Sequence, residues 1–156
     1  MTRILTIVTC AIVLSGCGGN STGPTSNQAT AVIQMSAAPQ VITAAVCPPS
    51  HCGTLAGQLE VEGTIAIRET AGVAATASHL ALTLRRRTDN AAIAATDATA
   101  AGGTRINANG TVTVPFAMHV DATAPESNMK VVVALDGSDA NGHPITSTIE
   151  IDVRAS

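Results

Sequence analysis

The chain predicts an all-β fold, an antiparallel sandwich of about seven strands, and three observations carry that prediction. Apolar residues recur at every second position in segment after segment, the period of a strand with one face buried. Turn chemistry (Ala71-Gly72, Asn109-Gly110, Asp139-Ala140-Asn141-Gly142) falls between those segments. The alanine-rich stretches are broken by Thr, Asp and Gly, and no apolar stripe at the helical period of 3.6 develops in them. At 156 residues the chain is long enough for one domain of ordinary size.

The first residues belong to targeting rather than to that domain. Arg3 supplies a positive charge, and residues 4–14 (ILTIVTCAIVL) are apolar. Eleven helical residues span about 16 Å, half the hydrocarbon core of a bilayer, too short for a transmembrane helix. The anatomy is that of a secretory signal. Leu14-Ser15-Gly16-Cys17 follows, and it resembles the lipobox of bacterial lipoproteins: a leucine, two small residues, then a cysteine. The resemblance implies that residues 1–16 are a cleaved lipoprotein signal peptide and that Cys17 becomes the lipidated first residue. One acyl chain holds marginally, whereas two or more anchor stably. Gly18 and Gly19 follow with no aspartate, a pattern that in a Gram-negative host implies transport to the outer membrane. The expected location is the cell envelope, with the membrane reached through N-terminal acyl chains.

Residues 18–31 (GGNSTGPTSNQATA) are small and polar. With Cys17 they form an expected flexible tether, residues 17–31, whose fourteen linker residues reach about 20 Å. The sandwich domain is then residues 32–156. Within it Val41–Val46 reads as a short strand. Leu59, Val61, Ile65 and Ile67 share a face opposite Gln58, Glu60, Glu62, Thr64 and Arg68. Gly63 interrupts that face, which predicts a bulge or bend. Leu80, Leu82 and Leu84 repeat the pattern, and residues 91–95 add a shorter strand. Val112, Val114, Phe116, Met118 and Val120 oppose Thr111, Thr113, Pro115 and His119. Met129, Val131, Val133 and Leu135 form the next set, and Ile145, Ile149, Ile151 and Val153 the last. Asn-Gly is the favoured pair where both turn residues need positive φ.

Residues 131–153 (VVVALDGSDANGHPITSTIEIDV) resemble the final hairpin of bacterial immunoglobulin-like, fibronectin-type-III-like and cadherin-like domains. The resemblance implies an immunoglobulin-like β-sandwich. It covers that hairpin well and the other strands only as a pattern. The inter-sheet cysteines and core tryptophan of antibody domains are absent, and such folds carry many unrelated functions.

Of four cysteines, Cys10 leaves with the signal and Cys17 takes lipid, so Cys47 and Cys52 remain in VCPPSHCG. In an exported, oxidising compartment they read as a structural disulfide, contributing about 2 kcal/mol through loop closure. Haem attachment needs the histidine after the second cysteine, and His51 precedes it. A zinc site needs a fourth ligand from elsewhere, and a redox pair usually has two intervening residues rather than four. Asp136, Asp139 and Asn141, beside Gly142, are the candidate metal ligands, for calcium, as cadherin-like turns would supply them; the spacing is not that of an EF-hand and no bidentate glutamate follows. The same residues also suit a turn because they tolerate left-handed backbone. Arg85-Arg86-Arg87 reads as solvated charge at a strand end that discourages edge pairing, with an anion or partner site as the alternative.

His51, His79, His119 and His143 lie on separate elements, and no G-x-S-x-G, H-E-x-x-H or paired-carboxylate motif accompanies them. No catalytic residues and no cofactor are therefore predicted. Loss of residues 1–16 leaves seven basic against eleven acidic residues, which gives no electrostatic reason to bind nucleic acid or anionic lipid. Phe116 is the single aromatic residue besides histidine, which argues against a carbohydrate-stacking surface. The expected function is a non-catalytic, lipid-anchored structural or protein-interaction module with an envelope protein as partner. The alternative is a calcium-dependent adhesion or ligand-binding lipoprotein.

Overall fold

The computed structural model describes residues 28–100, 102–121 and 128–155. The expected signal peptide, the lipobox and the lipidation site at Cys17 lie outside the described residues. Within them the chain is all-β: β1 Ile33–Ala38, β2 Val41–Val46, β3 Leu59–Glu69, β4 Ala75–Arg86, β5 Ala92–Asp97, β6 Thr104–Ile106, β7 Thr111–Val120, β8 Met129–Asp139 and β9 Pro144–Ala155. A one-turn helix, α1 (Pro49–Cys52), and a 3-10 turn (Gly53–Leu55) fill the β2–β3 connection. Pro49 opens α1, where a missing N–H costs no hydrogen bond.

The strands run in the order β1-β3-β2-β9-β8-β4-β5, with β7 also paired to β3 and β6 to β4. This corrects the purely antiparallel expectation. Val41 to Ala44 lie beside Asp152 to Ala155 of β9 in parallel, while Ala45 and Val46 return to an antiparallel pairing with β3. The physical reason sits between β1 and β2. Pro39 has no N–H to continue the β1–β3 ladder, and the next residues bond instead along the free edge of the last strand. Alternation along a strand records which face is buried, not the direction of its neighbour.

Side chains from the β3/β7 ladder and from the β9-β8-β4 ladder meet in one core. Val61, Ile65 and Ile67 of β3 are fully buried with Leu80, Leu82 and Leu84 of β4 and Val131 and Val133 of β8. Each such side chain contributes about 1.5–3 kcal/mol through removal from water. The register of β3 with β7 runs unbroken through Gly63, which stands opposite Phe116, so the expected bulge is not there. The glycine makes room instead: a Cβ at this position would lie 3.1 Å from the Phe116 ring and 3.3 Å from Ile42 Cδ1. Gly63→Val is expected to destabilise the domain by about 2 kcal/mol through overpacking, read as a lower urea midpoint with unchanged slope.

Register shifts do occur along β4, one against β5 between Leu84 and Arg85 and one against β8. The β4–β8 register shifts between Ala77 and His79, leaving Ser78 as the extra residue next to the Ala77–Gly137 pair. The turn residues are left-handed at single positions, Asn109 (φ 54°) and Gly142 (φ 83°), rather than at both members of each Asn-Gly pair.

Candidate functional site

Cys47, buried, ends the loop side of β2, and its backbone closes the 47–58 loop onto β3. Its N–H donates to Gln58 O at 2.8 Å, and Gly57 N–H donates to its carbonyl at 3.0 Å. Cys52 sits at the end of α1, and the two cysteines stand at disulfide distance, with a Cα–Cα separation of 5.9 Å. This loop folds over the outer face of the β3–β7 pair, where Glu60 and His119 are direct cross-strand neighbours. Both had read as solvent-facing residues of alternating strands. Their faces are as expected, but the loop covers them, leaving the side chains 13% and 23% exposed.

Four side chains of three chemical kinds therefore converge. Glu60 Oε2 lies 3.2 Å from Cys47 Sγ and 3.8 Å from Cys52 Sγ. Glu60 Oε1 lies 3.4 Å from His119 Nε2, which is 3.6 Å from Cys52 Sγ. His51, on α1, brings its Nε2 to 3.6 Å from the same Glu60 Oε1. One ligand atom from each of Cys47, Cys52, Glu60 and His119 lies within 4.8 Å of all the others. Among the described residues, two overlapping groups have atoms close enough to hold a metal ion, this one and the more exposed set of His51, Glu60 and Glu62.

The three calcium candidates are not arranged alike. Asp139 is buried at the end of β8, and internal donors occupy its carboxylate. Oδ1 accepts the N–H groups of Asn141 and His143, each at 2.9 Å. Oδ2 accepts Ala31 N–H at 3.1 Å and faces His143 Nδ1 at 3.1 Å. Burial works against the charge, but these hydrogen bonds outweigh it and hold the carboxyl below its ordinary range. The Asn141 amide donates to Ala29 O at 2.8 Å. Asp136 is exposed farther back in β8, opposite His79 and Thr146. Two of the three thus fasten residues 29–31 to the β8–β9 turn.

The remaining histidine, His79, faces Asp97 at 3.1 Å across the β4–β5 pair. Thr99 chiefly, with His79 after it, holds the Asp97 carboxyl well below its usual range. Each of the three arginines has a local partner: Arg85 donates to Asn90 O, Arg86 pairs with Asp89, and Arg87 pairs with Asp152. That agrees with charge settled at a strand end.

Sequence reasoning missed Glu69, the last residue of β3 and fully buried. Its Oε1 accepts N–H groups from Ala71 (2.6 Å) and Val32 (3.2 Å), and its Oε2 from Gly72 (2.9 Å), Asn109 (2.9 Å) and Val73 (3.2 Å). Five amides on one carboxylate form an anion nest. Burial alone would raise the pKa, and the hydrogen bonds from Asn109, Ala71, Val32 and Gly72 overcome it to bring the value down to about 2. The available signal was register: Glu69 continues the inward series 59, 61, 63, 65, 67.

Fold and site together define an all-β domain with a disulfide, imidazole and carboxylate cluster under the loop between β2 and β3. No family model matches the chain, and no curated protein matches it. Solved structures do share the fold. The structural-genomics target SoR45 aligns with TM-score 0.52 at 8% identity, over 80% of this chain and 87% of its own. A protein described as ApaA from Bordetella pertussis aligns with TM-score 0.53 at 12% identity, over 80% and 95%. The sporulation control protein Spo0M from Bacillus subtilis aligns with TM-score 0.50 at 16% identity, over 82% of this chain and about half, 51%, of that one. At these identities the likeness is one of fold.

Proposed function

We propose that the chain is a lipid-anchored cell-envelope protein whose domain is an immunoglobulin-like β-sandwich serving as a non-catalytic structural or protein-interaction module. The observation that carries the reading is the order of parts in the first 31 residues: apolar signal core, Leu14-Ser15-Gly16-Cys17, then an uncharged tether. The tether's far end is fastened to the domain, through Ala29 O and Ala31 N–H on the β8–β9 turn. A pull on the lipid end would therefore reach the fold at the β8–β9 hairpin, next to its central strands. Support for the immunoglobulin-like arrangement comes from the divided first strand, whose halves β1 and β2 serve different ladders, the second running parallel to the final strand.

Metabolic labelling with radioactive palmitate, followed by membrane fractionation, tests the anchor. The wild-type chain is expected to carry label and sediment with membranes, and Cys17→Ser to lose the label and leave the membrane fraction. Persistence of both in the variant would overturn the anchor. Crosslinking of the lipidated protein in living cells tests the module. A partner captured in near-stoichiometric amount supports the interaction role, and only lipid and peptidoglycan background sinks it.

A further inference from the structure

We infer that Cys47, Cys52, Glu60 and His119 form a zinc-binding site that opens when the Cys47–Cys52 disulfide is reduced. The site stands on geometry alone, whatever holds the chain to a membrane. A tetrahedral zinc ion with bonds of 2.3 Å to sulfur and 2.0–2.2 Å to nitrogen or oxygen holds its ligand atoms about 3.3–3.8 Å apart. Glu60 Oε2 stands 3.2 Å from Cys47 Sγ and 3.8 Å from Cys52 Sγ, Glu60 Oε1 3.4 Å from His119 Nε2, and that nitrogen 3.6 Å from Cys52 Sγ. The four side chains already surround a point at close to these separations, and one ligand atom from each lies within 4.8 Å of the rest. The sulfur–sulfur edge is closed by the disulfide. Opening it to the tetrahedral separation needs rotation of two side chains in a loop that is already on the site. Two thiolates with an imidazole and a carboxylate are a donor set suited to Zn2+. His51, at 3.6 Å from Glu60 Oε1, stands where an outer partner would orient the carboxylate.

The two states exclude each other. In the oxidised chain neither sulfur is a thiolate. A dithiol reductant delivers two electrons and two protons to the disulfide, giving two thiols and leaving as a disulfide itself. Zn2+ then binds both sulfurs and displaces the two thiol protons into solvent. Zinc in turn holds the pair reduced, because reoxidation must first expel the metal.

The test uses the full chain carrying Cys10→Ser and Cys17→Ser, so that Cys47 and Cys52 are its only thiols. The chain is reduced with a phosphine, freed of reductant and titrated with Zn2+ against a chromophoric chelator, and with Co2+ for the thiolate-to-cobalt charge-transfer band. One equivalent is expected to bind the reduced chain and none the oxidised chain, with a rise in melting temperature on zinc addition. His119→Ala is expected to weaken zinc by about 100-fold or more, at or beyond the loss an outer-shell change causes, and Cys52→Ser to abolish the charge-transfer band. Should the reduced, metal-free chain lose its cooperative melt, zinc is expected to restore it. Substoichiometric binding, equal binding by the oxidised chain, no effect of His119→Ala, or failure of zinc to restore a lost melt would each overturn the site.

Discussion

Gly137→Ala is expected to cost more than about 4 kcal/mol, the range in which a single substitution leaves a small domain largely unfolded. A Cβ on residue 137 would lie 2.1 Å from Thr76 O, 2.9 Å from Ala77 Cα and 3.0 Å from Thr76 C. All three are backbone atoms, so no side chain can rotate away. The crowding comes from the β4 bulge: Ser78 is the extra residue, and it presses the β4 backbone onto β8 where Gly137 pairs with Ala77. Relief would require β4 and β8 to part where their ladder, which runs from Ala75–Asp139 to Arg86–Met129, has its third pair. Gly142→Ala is the control. Its φ of 83° is unfavourable for alanine, yet nothing lies within 4 Å of the added carbon, so the cost is about 1–2 kcal/mol. Urea unfolding of the two variants beside wild type separates them. If Gly137→Ala keeps a midpoint near that of Gly142→Ala, the close approach of β4 and β8 is not as described.

The contrast between these two glycines also marks what the sequence can and cannot carry. Gly142 sits in a turn whose chemistry is local, and the Asp139-Ala140-Asn141-Gly142 run announces it. Gly137 reads as a glycine near a strand end, and its importance depends on a bulge sixty residues away. The same division holds for whole elements. β2 and β5 read only as added short strands, while period-two alternation located β3, β4, β7, β8 and β9. It is present in β1 too, where Ile33, Met35 and Ala37 alternate with Gln34 and Ser36, but the strand follows directly on a polar stretch and shares its small residues. β6 has three residues, too few for any period to show. The parallel partner of β2 left no trace, since alternation says nothing of strand direction.

The cluster was legible in halves. Cys47 and Cys52 were visible as a pair five residues apart, and a zinc site was seen to lack a ligand from elsewhere in the chain. Glu60 and His119 were read as polar residues on outward faces, which they are. Their meeting depends on the β3–β7 register and on the 47–58 loop lying back across that face, both long-range facts. Glu69 differs, because its place in the inward series was local information and a carboxylate there signals a nest of amides rather than an error in the pattern.

Glu69→Gln is expected to lower the melting temperature by roughly 10 °C or more, since several buried amides lose an anionic acceptor and some meet an N–H instead. The carboxylate joins the start of β1 (Val32), the β3–β4 turn (Ala71, Gly72, Val73) and the turn before β7 (Asn109). Glutamine can accept through one oxygen only. The substitution also changes the acid response. The folded pKa lies near about 2 and the ordinary value at 4.5, so the folded chain holds its carboxylate charged where the unfolded chain has already taken a proton. The stabilisation is therefore complete above about pH 4.5 and is lost as pH falls through the folded value near 2. Asp139, also lowered, adds to the loss in the same direction. Wild type should lose stability steeply across that window, and Glu69→Gln should start lower and fall less, because only the parts due to the other lowered carboxyls, Asp139, Asp97 and Glu150, remain. Thermal melts of both chains between pH 6 and pH 2 decide it: parallel curves would mean that Glu69 does not carry the acid sensitivity, whereas convergence toward pH 2 is what five amides closing on one carboxylate require.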